Sequence, residues 1–164
     1  MMSRRVALLV CLALAGACAS GGSARPAPMS ESAQRATEDS VRTMLGEFAR
    51  LGAAAQWDSL ALLYDDAPNF SWIENGNVVA RSRAEIRRGL EKVPPGMALA
   101  TRFDPLEVRA LDIGVVFVQT TSHTQFVNQA TGAPAFGFST MLTMIVVRRP
   151  DGWKLRQGHA SGGR

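Results

Sequence analysis

Residues 69–81, NFSWIENGNVVAR, decide the fold of this 164-residue chain. Two runs rich in β-forming residues flank Asn75-Gly76, a pair that readily adopts the positive φ angles of a two-residue hairpin turn. Alternation along the first run places Phe70, Trp72 and Glu74 on one face. The stretch therefore predicts a β-hairpin whose first strand presents one side to a core.

Two helices are predicted before the hairpin. Residues 31–52 carry an apolar stripe with helical spacing, formed by Val41, Met44, Leu45, Phe48 and Leu51. A second helix is predicted to begin at Trp57-Asp58, with Asp58 as its cap and Trp57 packed on Leu62.

A third helix and four strands are predicted after the hairpin. Ser82 and Glu85 form a capping box, and the helix that they open ends before Pro94. Residues 101–111, 115–127, 135–149 and 153–160 are β-rich runs separated by turn sequences. This order predicts an α+β domain with three helices on one face of a curved, mostly antiparallel sheet.

The N-terminal residues have the layout of an export signal, because Arg4 and Arg5 precede the apolar run of residues 6–15. Residues 12–18, LALAGAC, resemble the lipidation box of bacterial lipoproteins, which makes Cys18 the lipidated residue. We expect a signal peptide over residues 1–17, lipidated Cys18 and a flexible tether over 18–30, and a folded domain over 31–164. Cleavage after Ala17 without lipidation is the alternative.

This leader predicts export to the cell envelope with a lipid anchor in a membrane, which would be the outer membrane in a Gram-negative host. The alternative cleavage predicts a secreted or periplasmic soluble protein. Without Arg4 and Arg5 the net charge falls from +4 to about +2, since sixteen basic residues then face fourteen acidic ones. The basic residues 81–88, RSRAEIRR, are interrupted by Glu85 and indicate a solvated helix face, so nucleic acid is not an expected partner.

The order of elements, together with residues 53–90 and the closing DGWKLRQGHAS of residues 151–161, resembles the SnoaL-like branch of the nuclear transport factor 2-like superfamily. The resemblance implies a cone-shaped fold, in which the sheet wraps round the first helix and leaves a pocket open at one end. Members include ketosteroid isomerases, polyketide cyclases, dehydratases and proteins that only bind a small molecule or a partner. Relatives often pair through the outer face of the sheet, so the resemblance leaves a homodimer open.

Isomerase-type chemistry is excluded by the residues at the positions it requires. Those enzymes place carboxyl groups inside an apolar cavity, whereas residues 113–150 contain no Asp or Glu. The resemblance would place the catalytic base near Ser71 or Trp72 and the phenol group of the first helix near Phe48. None of these three side chains carries the needed group.

His123 and His159 are the only two histidines in the chain. Alternation predicts His159 on the same face as Trp153 and Leu155. The two predicted strands that contain His123 and His159 each become polar toward one end, as expected where a core opens to a pocket. A neutral imidazole there could act as acid or base near neutral pH, with a structural hydrogen bond as the alternative role.

The predicted ligand pocket therefore consists of Phe48, Tyr64, Trp72, His123, Met141 and His159. His123 and His159 are also the candidates for catalysis. No cofactor is expected, and two histidines without a third ligand predict no metal site. The leading functional expectation is binding of a small, largely apolar molecule or of a partner, and the alternative is a histidine-based lyase or hydrolase acting on a small organic substrate.

Overall fold

The computed structural model describes residues 28–162, which form three helices and six strands. The helices are α1 (Glu31–Ala53), α2 (Trp57–Ala61) and α3 (Arg83–Leu90). The strands are β1 (Ser71–Glu74), β2 (Asn77–Ala80), β3 (Met97–Asp112), β4 (Val115–Asn128), β5 (Pro134–Arg149) and β6 (Gly152–Gly162). They form one sheet in the order β2-β1-β6-β5-β4-β3, so the predicted α+β class is confirmed.

Helix α1 lies on the concave face of this sheet and buries the stripe that its sequence predicts. The side chain of Ser30 caps its first turn by accepting a hydrogen bond from the Ala33 amide at 3.3 Å. Val41 and Leu45 are almost fully buried in the core, where they meet Val116, Val118 and Val146 of the sheet. None of the helices within residues 28–162 is both long and apolar enough to cross a membrane.

The predicted hairpin is confirmed at its turn and its flanking strands. Asn75 has a φ of 49° and Gly76 a φ of 80°, and Glu74 pairs with Asn77 across the turn. Strand β1 then pairs with β6 in parallel, whereas the other strand pairs are antiparallel. The hairpin thus closes one side of the sheet and brings Trp72 over the concave face.

The predicted cap of α2 is wrong. Gln56 occupies the N-cap position without a side-chain hydrogen bond. Asp58 lies inside the first turn, and its carboxylate accepts a hydrogen bond from Arg87 of α3. Leu62, the expected packing partner of Trp57, is 53% exposed. The helix ends early because the following segment pairs with β6, where the Leu155 amide donates to the Leu63 carbonyl at 2.8 Å.

Strand β6 contains a bulge that reverses its alternation. Ile145 of β5 faces Gln157 and Val146 faces Leu155, which leaves Arg156 without a partner in the ladder. Before the bulge Trp153 and Leu155 point to the core, and after it Gly158 and Ala160 are the buried residues. The prediction that His159 shares a face with Trp153 and Leu155 is therefore wrong.

An ionic cluster around Asp65 holds the bulge in place. The Asp65 carboxylate is buried and accepts hydrogen bonds from Arg149 at 2.6 and 3.2 Å and from Arg156 at 2.6 Å. Arg156 also donates to the side chain of Asn69. Burial alone would raise the pKa of Asp65, but the two guanidinium groups outweigh it and hold the pKa below its ordinary value. The cluster connects the segment before β1 to β5 and β6.

Candidate functional site

A cavity of about 390 Å³ lies between α1, the segment after α2 and the concave face of the sheet. Most of its wall is apolar. Representative wall residues are Phe48, Leu60, Tyr64, Trp72, Leu142 and Leu155. Phe138, which is half exposed, also lines it and marks the side that opens to solvent.

The cavity arises because the inward face of β4 changes from apolar to hydroxyl side chains along its length. Val116 and Val118 are fully buried in the core, whereas Ser122 and Thr124 line the cavity. These hydroxyl groups already have protein partners: the Ser122 hydroxyl donates to the Thr140 carbonyl at 3.3 Å, and the hydroxyls of Thr101 and Thr124 are 3.0 Å apart. The sheet therefore gives the cavity a polar but uncharged wall.

Tyr64 forms the opposite wall with a cluster of aromatic rings. Its ring contacts those of Phe70 and Trp72 edge to face, with centroid distances of 6.1 and 5.6 Å, and the ring of Phe48 lies 6.1 Å away. Burial is the main cause that raises the pKa of Tyr64 well above its ordinary value, and the nearby negative charge of Glu74 adds to it. No described residue forms a hydrogen bond with the Tyr64 hydroxyl. The group is therefore a neutral phenol that is free to bind a ligand.

Glu74 supplies the only charge among the described residues that line the cavity. It is the last residue of β1, and its Oε1 accepts a hydrogen bond from the indole Nε1 of Trp72 at 3.0 Å. The indole thereby fixes one oxygen of an exposed carboxylate at the edge of the aromatic wall.

Gly158 of β6 makes the position of the Trp72 indole possible. A Cβ atom at residue 158 would lie 2.0 Å from the Trp72 ring, far inside van der Waals contact. The six-membered part of the indole therefore packs closely against the backbone of β6 at Gly158, while its Nε1 donates to Glu74.

The structure brings together three of the six predicted pocket residues. Phe48, Tyr64 and Trp72 line the cavity, and their role in binding remains a prediction. His123, Met141 and His159 do not line it. Met144 of β5, which lies on the face opposite to Met141, lines the cavity in its place.

Both histidines lie on the outer face of the sheet. His159 pairs with Thr143 beyond the bulge and is exposed. His123 pairs with Ser139, whose hydroxyl lies 2.8 Å from the histidine Nδ1. The prediction that the two imidazoles face one cavity is wrong, and the premise of a histidine-based lyase or hydrolase fails with it.

Sequence reasoning missed Glu74, although alternation had already placed it on the face of Trp72. The carboxyl positions that the family resemblance implies lie on the central strands and near the start of β1, whereas this carboxylate lies at the end of β1, next to the hairpin turn. Within residues 28–162 no three His, Cys, Asp or Glu side chains are grouped as a metal site would require.

The curved sheet, the long helix on its concave face and the cavity between them define a protein of the nuclear transport factor 2-like fold. The sequence profile of the SnoaL-like domain matches residues 41–163, and the chain belongs to this family.

Solved structures agree with the fold. A nuclear transport factor 2-like superfamily protein from Salmonella enterica aligns with a TM-score of 0.63 and 14% identity, over 79% of this chain and 93% of that chain. ActVI-ORFA from Streptomyces coelicolor aligns with a TM-score of 0.61 and 19% identity, over 76% and 95% of the two chains. A protein from Catenulispora acidiphila in complex with S-DNPA aligns with a TM-score of 0.61 and 13% identity, over 79% of this chain and 95% of that chain. Among curated proteins no sequence match is found.

Proposed function

We propose that this protein binds a small, largely apolar molecule in the cavity between α1 and the sheet. The observation that carries the proposal is the composition of the wall, which is aromatic and aliphatic apart from a few hydroxyl groups, one amide and one carboxylate. Ligand pockets in proteins have this character, with volumes of about 300–1,000 Å³ and a small number of polar groups that orient the ligand.

Two further points support a binding role. Tyr64 is a buried residue that lines the cavity, and its hydroxyl forms no hydrogen bond with a described residue, so a ligand atom can supply its partner. A protein with a similar fold, from Catenulispora acidiphila, was solved in complex with S-DNPA.

Filling the cavity tests the proposal. Thr140 and Thr143 are both on β5, but Thr140 lines the cavity while Thr143 faces outward beside His159. We expect Thr140→Trp to lower the affinity for a neutral solvatochromic dye by about tenfold or more, because the indole would occupy the ligand volume. Thr143→Trp, the matched control, is expected to bind the dye as the wild type does.

The measurement is a fluorescence titration of the purified protein with the dye. Saturable binding that Thr140→Trp weakens and Thr143→Trp does not would support the cavity as the binding site. Absence of saturable binding to the wild type, or equal binding to both variants, would contradict it.

We also propose that the protein is exported and anchored by lipid on Cys18, which lies outside the described residues. The support is the leader: two arginines, an apolar run and the box LALAGAC that ends at Cys18. Cells grown with labelled palmitate are expected to label the wild type but not Cys18→Ala. If neither protein is labelled while both are exported, ordinary cleavage replaces lipidation.

A further inference from the structure

The charge of the cavity wall restricts which ligands it accepts. Among the described residues no Lys, Arg or His lines the cavity. Glu74 forms no ion pair with another described residue. A carboxylate or phosphate ligand would bring its charge into an apolar space that offers no cation, and Glu74 would repel it. A ligand with a positive group would find both a counter-charge and an apolar environment for its body.

The aromatic residues beside Glu74 favour the same sign of charge. The rings of Tyr64 and Trp72 pack edge to face at an interplanar angle of 78°, and both residues line the cavity. Aromatic faces attract ammonium groups through the negative potential above the ring, and tryptophan does so most strongly. Because Trp72 donates to Glu74 Oε1, the carboxylate lies beside the indole and within the same group of lining residues.

The rest of the site suits the apolar part of such a ligand. Beyond Tyr64 the cavity continues along Leu142, Met144 and Leu155, which present only hydrocarbon and thioether groups. The hydroxyl of Tyr64 remains available to accept a hydrogen bond from an N–H group or to donate one to a ligand oxygen.

From this arrangement we propose that the ligand is an amphiphilic amine, with its protonated or quaternary nitrogen at Glu74, Trp72 and Tyr64 and its apolar body along Leu142 and Leu155. The proposal rests on the binding function of the same cavity. It adds the sign of the ligand's charge and the residues that recognise it.

Three probes with the same alkyl chain test the proposal: octyltrimethylammonium, octanol and octanoate. Each competes with the bound neutral dye in titrations of the purified protein. We expect octyltrimethylammonium to displace the dye at a concentration about tenfold lower than octanol, since ion pairing and the aromatic faces both favour the cation. Octanoate is expected to be the weakest competitor.

Glu74→Gln keeps the size of the side chain and a carbonyl oxygen that can accept the Trp72 hydrogen bond, but it removes the charge. The variant is expected to bind octanol as before and to lose the preference for the cation. Glu107→Gln is the matched control, because Glu107 is exposed on β3 and does not line the cavity. It is expected to keep the full preference.

The outcomes separate this proposal from the function on which it rests. If octanol and the cation compete equally well in the wild type, the charge assignment is overturned and the cavity remains a binding site for neutral molecules. If Glu74→Gln weakens all probes to the same extent, Glu74 acts by holding Trp72, and the charge assignment also fails. If neither the dye nor any probe binds, the binding function itself is contradicted.

Discussion

At the scale of single residues, Gly158 controls the shape of the cavity although it contributes no side chain. The Trp72 indole occupies the space where a Cβ atom would stand. The same indole packs on Tyr64 and donates to Glu74, so its position determines both the aromatic wall and the place of the carboxylate.

We therefore expect Gly158→Ala to displace the indole, to lower the free energy of unfolding by about 1–3 kcal/mol and to weaken dye binding. Gly162→Ala is the matched control, because residue 162 lies on the same strand, lines the cavity and has no atom within 4 Å of an added Cβ. Urea unfolding followed by tryptophan fluorescence measures the first effect, and the dye titration measures the second. Unchanged stability and affinity in Gly158→Ala would show that the ring has room to move.

At the scale of elements, structure set by neighbouring residues was predictable from the sequence. The positive φ angles at Asn75-Gly76 and the capping bond between Ser82 and Glu85 depend only on nearby residues, and both are present. The long β-rich runs likewise become strands near their expected bounds. These elements, in their order along the chain, were sufficient to predict the α+β class.

Features that depend on distant partners were not predictable. Aspartate is a common helix-capping residue, but the carboxylate of Asp58 instead accepts a hydrogen bond from Arg87, 29 residues away. The bulge at Arg156 follows from Asp65 and Asn69, 91 and 87 residues distant, and it turns His159 to the outer face. No local pattern signals either contact.

The face of β4 could not be assigned from its sequence, because apolar residues occur on both sides of the strand. Val115 and Phe117 alternate with Val116 and Val118, and only the packing of α1 shows that the second pair faces the core. By alternation His123 lies on the same face of β4 as Val115 and Phe117, and the structure shows that this is the outer face. This ambiguity accounts for the outward position of His123, whereas the bulge accounts for that of His159.

At the scale of the whole molecule, the Asp65 cluster makes stability depend on pH. The folded protein holds the pKa of Asp65 below its unfolded value, so the folded state binds a proton less readily than the unfolded state. The stabilising contribution is complete above the unfolded pKa of an ordinary aspartate and is lost as the pH falls through the lower, folded pKa. Asp65 links the segment before β1 to Arg149 and Arg156, so this loss affects the global unfolding reaction.

Asp65→Asn tests this linkage, because the amide leaves two guanidinium groups without their counter-charge at every pH. We expect the variant to be less stable than the wild type by about 3 kcal/mol near pH 7. The difference should shrink as the pH falls below the ordinary pKa of an aspartate and through the lower, folded pKa of Asp65, because the wild-type carboxyl then becomes protonated. Other carboxyls with lowered pKa values, such as Glu38 and Asp151, are present in both proteins and cancel in the difference.

Urea unfolding of both proteins across this pH range gives the two stability curves. Glu107→Gln, which removes an exposed carboxyl outside the cluster, is expected to follow the wild type at every pH. Curves for the wild type and Asp65→Asn that stay parallel throughout the acidic range would mean that the two arginines do not act on the Asp65 carboxyl through its charge. Curves that converge would identify this buried carboxylate as a main source of acid sensitivity in the fold.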